Sequence, residues 1–296
     1  GGMAGKLDQV RLIQHGAHGG EAYFEALYPL YVNMAGMVTV WEGPNEPDLT
    51  NPRAAQNYAD FLQGWNARMQ RKAFKTAGGS IAVGNPKLRK FDGTNEEWLI
   101  VARVLARCNY WSYHGYWNGR YNPADNWWAH RYRLMIAEAK EDGITLPQLL
   151  ITEAGCDRGG GALDGWRARM TWEEHLADIK AYAAEIAQDT EVVASTLFDV
   201  GAYPSWASFE YREPEVRTLA ALRVGETPTP PAPPTPEPLP EHETATDAAT
   251  LADKCRWWLE EYIRQLEAGN ARRASDILYS LVKLFYRLEN ALKAGV

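Results

Sequence analysis

Between Val10 and Leu222 short apolar runs alternate with longer segments whose apolar residues recur every three or four positions. This alternation limits the chain to βα units and a parallel sheet. The strand-like runs are Val10–Ile13, Met37–Trp41, Ser80–Gly84, Tyr110–Tyr113, Gln148–Thr152 and Glu191–Asp199. The helix-like segments are Glu21–Met34, Ala54–Lys72, Glu96–Arg107, Asn126–Glu141, Thr171–Gln188 and Glu215–Leu222. Tyr58, Phe61, Leu62, Trp65 and Met69 form a stripe on the second helix. Thr171 and Glu174 stand at capping-box spacing before another. Such a sheet either stays open and doubly wound or closes as a (β/α)8 barrel. No glycine-rich phosphate loop follows the first strand, which counts against a nucleotide-binding open sheet.

In a barrel, chemistry sits beyond the carboxyl ends of the strands. There this sequence places Glu42, Asn45 and Glu46, then His114 and Tyr116, then Glu153, then Asp199 with Trp206 further on. Glycosidic cleavage needs one carboxylic acid to protonate the leaving oxygen. It needs a second carboxylate to attack the anomeric carbon or to activate water. Glu46 and Glu153, on non-adjacent strands of one rim, supply such a pair.

The run Trp41-Glu42-x-x-Asn45-Glu46-Pro47, followed by His114-x-Tyr116 and Thr152-Glu153-Ala154-Gly155, resembles clan A of the glycoside hydrolases. These are retaining (β/α)8 (TIM) barrel enzymes that include the cellulase-like families. The resemblance spans roughly Gln9 to Leu222 and rests on three motifs in order. It implies cleavage of β-linked glycosides by double displacement, with Glu46 as acid/base and Glu153 as nucleophile. It further implies that Asn45 bonds the sugar 2-hydroxyl, that His114 contacts substrate, and that Tyr116 hydrogen-bonds Glu153. In the clan an aromatic after the last strand floors the sugar site. Here Phe198 ends the strand, and Trp206 on the following loop is assigned that part. The arginine that the clan often carries near its second strand has no counterpart.

Other residues read more plainly. His15 and His18 either line a sugar site or sit on a mobile loop, and His130 and His175 are expected on helix surfaces. No cluster has metal-ligand spacing and no serine sits in a Gly-x-Ser-x-Gly elbow, so neither a metal, another cofactor nor a serine nucleophile is expected. A net charge of -7 with no basic block argues against nucleic acid as the partner. No apolar stretch is long enough to span a membrane. An oligo- or polysaccharide is the expected partner. The same motifs would serve a transglycosylase, and an idle carbohydrate-binding or scaffold protein can share the fold.

The proline-crowded segment at 226–240 is expected to be an extended linker between a barrel domain (1–225) and a tail (241–296). In the tail, Ala248–Ala268 and Ala271–Lys293 read as a helical hairpin that self-associates, docks on the main domain or binds a partner protein. The Asn-Glu motif ends strand four in the clan, yet 36 residues precede Met37. At about 30 residues per βα unit that leaves room for one unit, so six units are expected, with the N-terminal strands of the barrel missing. That shortfall, with a start at Gly1 rather than Met, suggests a piece of a longer, secreted precursor. The 296-residue chain itself is expected to be poorly stable and weakly active.

Overall fold

The computed structural model describes residues 8–222 apart from 125–126, 160–162 and 202–203. It also describes Ala252, Cys255, Arg256, Leu259, Glu260, Glu261, Ile263 and Arg264. The chain falls into two compact units, Gly1–Glu226 and Thr227–Val296. The eight described residues of the second unit are helical. The linker and the rest of the tail hairpin lie outside the described residues.

The first unit is an α/β half-barrel. Five parallel strands lie in chain order, each hydrogen-bonded to the next: β1 Val40–Glu42, β2 Lys75–Ile81, β3 Tyr110–Trp117, β4 Leu149–Cys156 and β5 Val192–Leu197. Around them run α1 Gln9–Gln14, α2 Gly16–Met34, α3 Pro52–Arg71, α4 Arg89–Asp92, α5 Glu96–Leu105, α6 Tyr132–Glu141, α7 Trp172–Ile186 and α8 Glu213–Ala221. The curled, sequentially ordered sheet with intervening helices is the arrangement of part of a (β/α)8 barrel. Among the described residues no helix is long and apolar enough to cross a membrane.

The expected sixth strand is absent, because Val10–Ile13 lies in α1. Four apolar or long residues in a row do not separate strand from helix by period alone. Here Asp8 decides, since its side chain accepts the Arg11 N–H at 3.0 Å and caps the helix. The second strand also sits differently from its expected place, ending rather than beginning near Ser80. Its run Lys75-Thr76-Ala77-Gly78-Gly79 has one β-branched residue, Thr76, and two glycines, a weak strand signal. Packing explains the choice. A Cβ on Gly78 would stand 2.8 Å from Cys108 Sγ, and one on Gly79 2.4 Å from the Ser112 carbonyl oxygen. Glycines there let β2 approach α5 and β3 closely.

The core follows from the same patterns. The α3 stripe of Tyr58, Phe61, Leu62, Trp65 and Met69 is wholly buried, behind an Asn51 cap and Pro52 in the first turn. β3 is almost fully buried along both faces, as expected of a central parallel strand. Thr171 and Glu174 close a reciprocal capping box on α7. His130 and His175 are buried, contrary to the surface reading. His175 stacks on Trp166, packs beside Tyr211 and bonds the Tyr211 hydroxyl at 2.7 Å. His130 bonds the Tyr121 hydroxyl at 2.6 Å. Burial pushes His130 down to about 4 and His175 to about 3, so both imidazoles are neutral at pH 7.

Candidate active site

The carboxyl ends of β1 to β4 bring the sequence motifs together. β1 pairs with β2, and the ladder continues past its end. Gly43 N–H donates to the Ala77 carbonyl and Glu46 N–H to the Ser80 carbonyl, both at 3.1 Å. Glu46 and Ser80 both occupy the left-handed backbone region, at φ 42° and 46°. That conformation is uncommon for residues with a Cβ and clusters at functional sites. On the next pair, His114 of β3 stands in register with Glu153 of β4, and Tyr116 lies two residues further along the same face.

His114 is the hub. Its ring is fully buried, 2.8 Å from Glu46 Oε1 and 3.3 Å from Glu153 Oε2 through Nδ1. Its Nε2 lies 3.1 Å from Ser80 Oγ. The Tyr116 hydroxyl donates to Glu153 Oε2 at 2.8 Å, and the Ser80 hydroxyl to Asn45 Oδ1 at 3.1 Å. Glu42 stands beside this group, accepting the Thr152 hydroxyl at 2.7 Å. The Glu153 side chain is 23% exposed and that of Glu46 45%. The inner carboxylate is thus sheltered and the outer one open to solvent.

Burial raises the pKa of Glu153 above the ordinary carboxylate range. His114 and the Tyr116 hydrogen bond pull it down, while the charges of Glu46 and Glu42 push it up. Tyr116 is driven far upward, first by burial and then by the charge of Glu153, so its hydroxyl remains a donor at any working pH. Glu46, His114 and Glu153 each offer an atom within 4.8 Å of the other two, a grouping close enough to hold a metal ion.

A cavity of about 250 Å³ opens over this cluster. It is lined by Asn45, Glu46, Tyr116, Glu153, Asp157, Phe198, Trp206 and Phe209. Trp206 packs edge-on to Phe198 and Phe209, presenting an aromatic wall to the carboxylates. Five of the six expected site residues therefore line one space, and His114 lies beneath it. A larger apolar groove of about 410 Å³ runs between β5, α7 and α8, and no carboxylate lines it. His15 and His18 are exposed at the junction of α1 and α2 and do not line the cavity.

Sequence reasoning missed Ser80, which sits in no motif. The one signal was a small polar residue behind a glycine pair. Asp157 and Phe209, also in the cavity wall, carried no signal of their own.

No protein-family model matches the chain, and no curated protein matches it in sequence. Among solved structures it is similar to a glucosidase from Croceicoccus marinus, at 18% identity and a TM-score of 0.42, over 65% of this chain and 40% of that one. It is also similar to a GH128 (subgroup II) endo-β-1,3-glucanase from Sorangium cellulosum, at 16% identity and a TM-score of 0.40, over 67% of this chain and 77% of that one. The chain thus spans well under half the length of the first. Both are distant structural likenesses to glycoside hydrolases.

Proposed function

We propose that the protein is a retaining glycoside hydrolase acting on β-linked glycosides, with Glu46 as acid/base and Glu153 as nucleophile. One observation carries this reading. An oxygen of Glu46 and an oxygen of Glu153 lie within 4.8 Å of each other at the wall of one cavity. Retaining enzymes hold their carboxyl groups about 5–5.5 Å apart, whereas inverting enzymes leave about 6.5–9.5 Å for a water.

In the first step Glu153 attacks the anomeric carbon and forms a glycosyl ester. The bond to the leaving oxygen breaks as that oxygen takes the proton of Glu46. In the second step Glu46, now ionised, takes a proton from water. The water oxygen attacks the anomeric carbon and Glu153 departs as a carboxylate. The more open Glu46 is suited to exchange protons with leaving group and water. The sheltered Glu153, aimed by Tyr116, is suited to attack. Trp206 offers a face for the sugar ring and Asn45 an amide for a sugar hydroxyl.

The experiment is a comparison of two substrates and two variants. Glu153→Gln should abolish turnover of both 4-nitrophenyl and 2,4-dinitrophenyl β-glycosides. Glu46→Gln should largely spare the dinitrophenyl substrate, whose leaving group departs without a proton. Equal loss on both substrates in both variants would refute the assignment of roles.

A further inference from the structure

We infer that Ser80 is a positioning residue for the reaction proposed above, and the inference rests on that reading of Glu46 and Glu153. Its hydroxyl holds the ring of His114 and the amide of Asn45, and through the ring it sets both carboxylates.

The proton inventory supports this. Nδ1 of His114 lies 2.8 Å from Glu46 Oε1 and 3.3 Å from Glu153 Oε2. Glu153, ionised in order to attack, can only accept, so a proton on Nδ1 serves that carboxylate while protonated Glu46 accepts through its carbonyl oxygen. The ring's orientation is then decided at Nε2, where its hydrogen-bond neighbour is Ser80 Oγ at 3.1 Å. Ser80 has one hydroxyl proton and two such neighbours, Nε2 and Asn45 Oδ1 at 3.1 Å. With that proton on Asn45, Nε2–H donates to Oγ and the ring is an imidazolium beside the two carboxyl groups. With the proton on Nε2, the ring is neutral, Nδ1–H remains aimed at the carboxylates, and Asn45 turns its amide NH2 toward Oγ. In either state the hydroxyl keeps the ring in place as Glu46 loses and regains its proton through the two steps.

The backbone supports it independently. Ser80 is buried and sits at φ 46°, where glycine is at ease and serine is not. Its N–H donates to Ser112 Oγ at 2.7 Å and its carbonyl accepts the Glu46 N–H at 3.1 Å. The residue is thus clamped between β3 and the loop that carries Asn45 and Glu46. A side chain kept at a position glycine would fill more easily points to a use for that side chain.

This gives a clean separation of structure from function. Ser80→Gly and Ser80→Ala both delete the hydroxyl, but only glycine relieves the backbone, so Ser80→Gly should have the higher melting point of the two. Its kcat on 2,4-dinitrophenyl β-glucoside should fall about ten- to a hundredfold with KM little changed, as expected of misplaced catalytic groups. Ser80→Ala should lose the same activity. In 15N-histidine spectra, with His114→Gln assigning the resonance, the ring nitrogens of His114 should shift in Ser80→Gly while the other five histidines stay put.

Wild-type kcat with an unmoved His114 resonance would overturn the inference. So would a loss of activity that follows a lowered melting point in both variants. If the wild-type chain turned over no aryl glycoside, the hydrolase reading would fail by itself. The His114 resonance would still decide whether Ser80 holds the ring, a shift supporting it and no shift refuting it.

Discussion

The hydrogen bond from Tyr116 to Glu153 permits a quantitative test through Tyr116→Phe. The substitution removes one oxygen and leaves the ring, which is 9% exposed and packs edge-on to Phe198. At 2.8 Å from Oε2 the hydroxyl makes a charge-assisted bond to a carboxylate that is itself only 23% exposed. Such bonds are worth about 1.5–3 kcal/mol. The bond favours the ionised form of Glu153, so its loss strengthens proton binding there by roughly ten- to a hundredfold. Glu153 already lies above the ordinary range because of its burial. Losing Tyr116 moves it further in the same direction. The acid limb of kcat/KM, measured on an aryl β-glycoside from about pH 4 to pH 9, should therefore move toward neutral pH by that factor. Activity should recover in part at alkaline pH. An acid limb that stays in place while activity falls uniformly would show that Tyr116 shapes the pocket without tuning Glu153, and the electrostatic account would fail.

Three further outcomes follow from the same structure. Because the pKa of Glu153 is raised on folding, its ionised form is the disfavoured one and its contribution to stability falls as pH rises. Glu153→Gln should thus raise stability at pH 7 by about 0.5–2 kcal/mol, with the gain shrinking below the ordinary carboxylate range, as read by urea melts. His130 and His175, pushed down to about 4 and about 3, bind protons in the unfolded chain before the folded one does. Their stabilisation is complete above about pH 6.5 and is lost as pH falls, at about 1.4 kcal/mol per pH unit for each; a flat urea midpoint between pH 7 and pH 5 would contradict this. Thr171→Ala removes the capping box of α7 and should cost about 1 kcal/mol by the same melts, with unchanged kcat.

Much of this molecule was legible in its sequence where one signal dominated. The stripe on α3 and the capping box of α7 are local patterns with a single physical outcome. The candidate-site motifs come together because they stand at the carboxyl ends of neighbouring parallel strands, a placement their order along the chain already implied. Failures came where context decides. Val10–Ile13 has no period of its own, and a single Asp8 cap makes it helical. The middle of β2 is a glycine pair, Gly78 and Gly79, whose reason is the close approach of Cys108 and Ser112, both distant in sequence. His130 and His175 read as surface residues because a polar side chain in a helix usually faces water. Tyrosine and tryptophan partners from other elements made their burial tolerable. Ser80 was invisible for a related reason: its importance lies in three neighbours from other segments and in a backbone angle.

The central claim is that Glu153 becomes covalently bonded to the sugar while Glu46 handles the proton. The most direct measurement is mass spectrometry of the protein after incubation with a panel of 2,4-dinitrophenyl 2-deoxy-2-fluoro-β-glycosides, which slow the second step and trap the ester. The account predicts a mass gain of one fluoroglycosyl group, mapped by peptide digestion to Glu153, absent in Glu153→Gln and present in Glu46→Gln. An adduct on Glu46, or turnover of the unfluorinated glycosides with no adduct from any member of the panel, would contradict it.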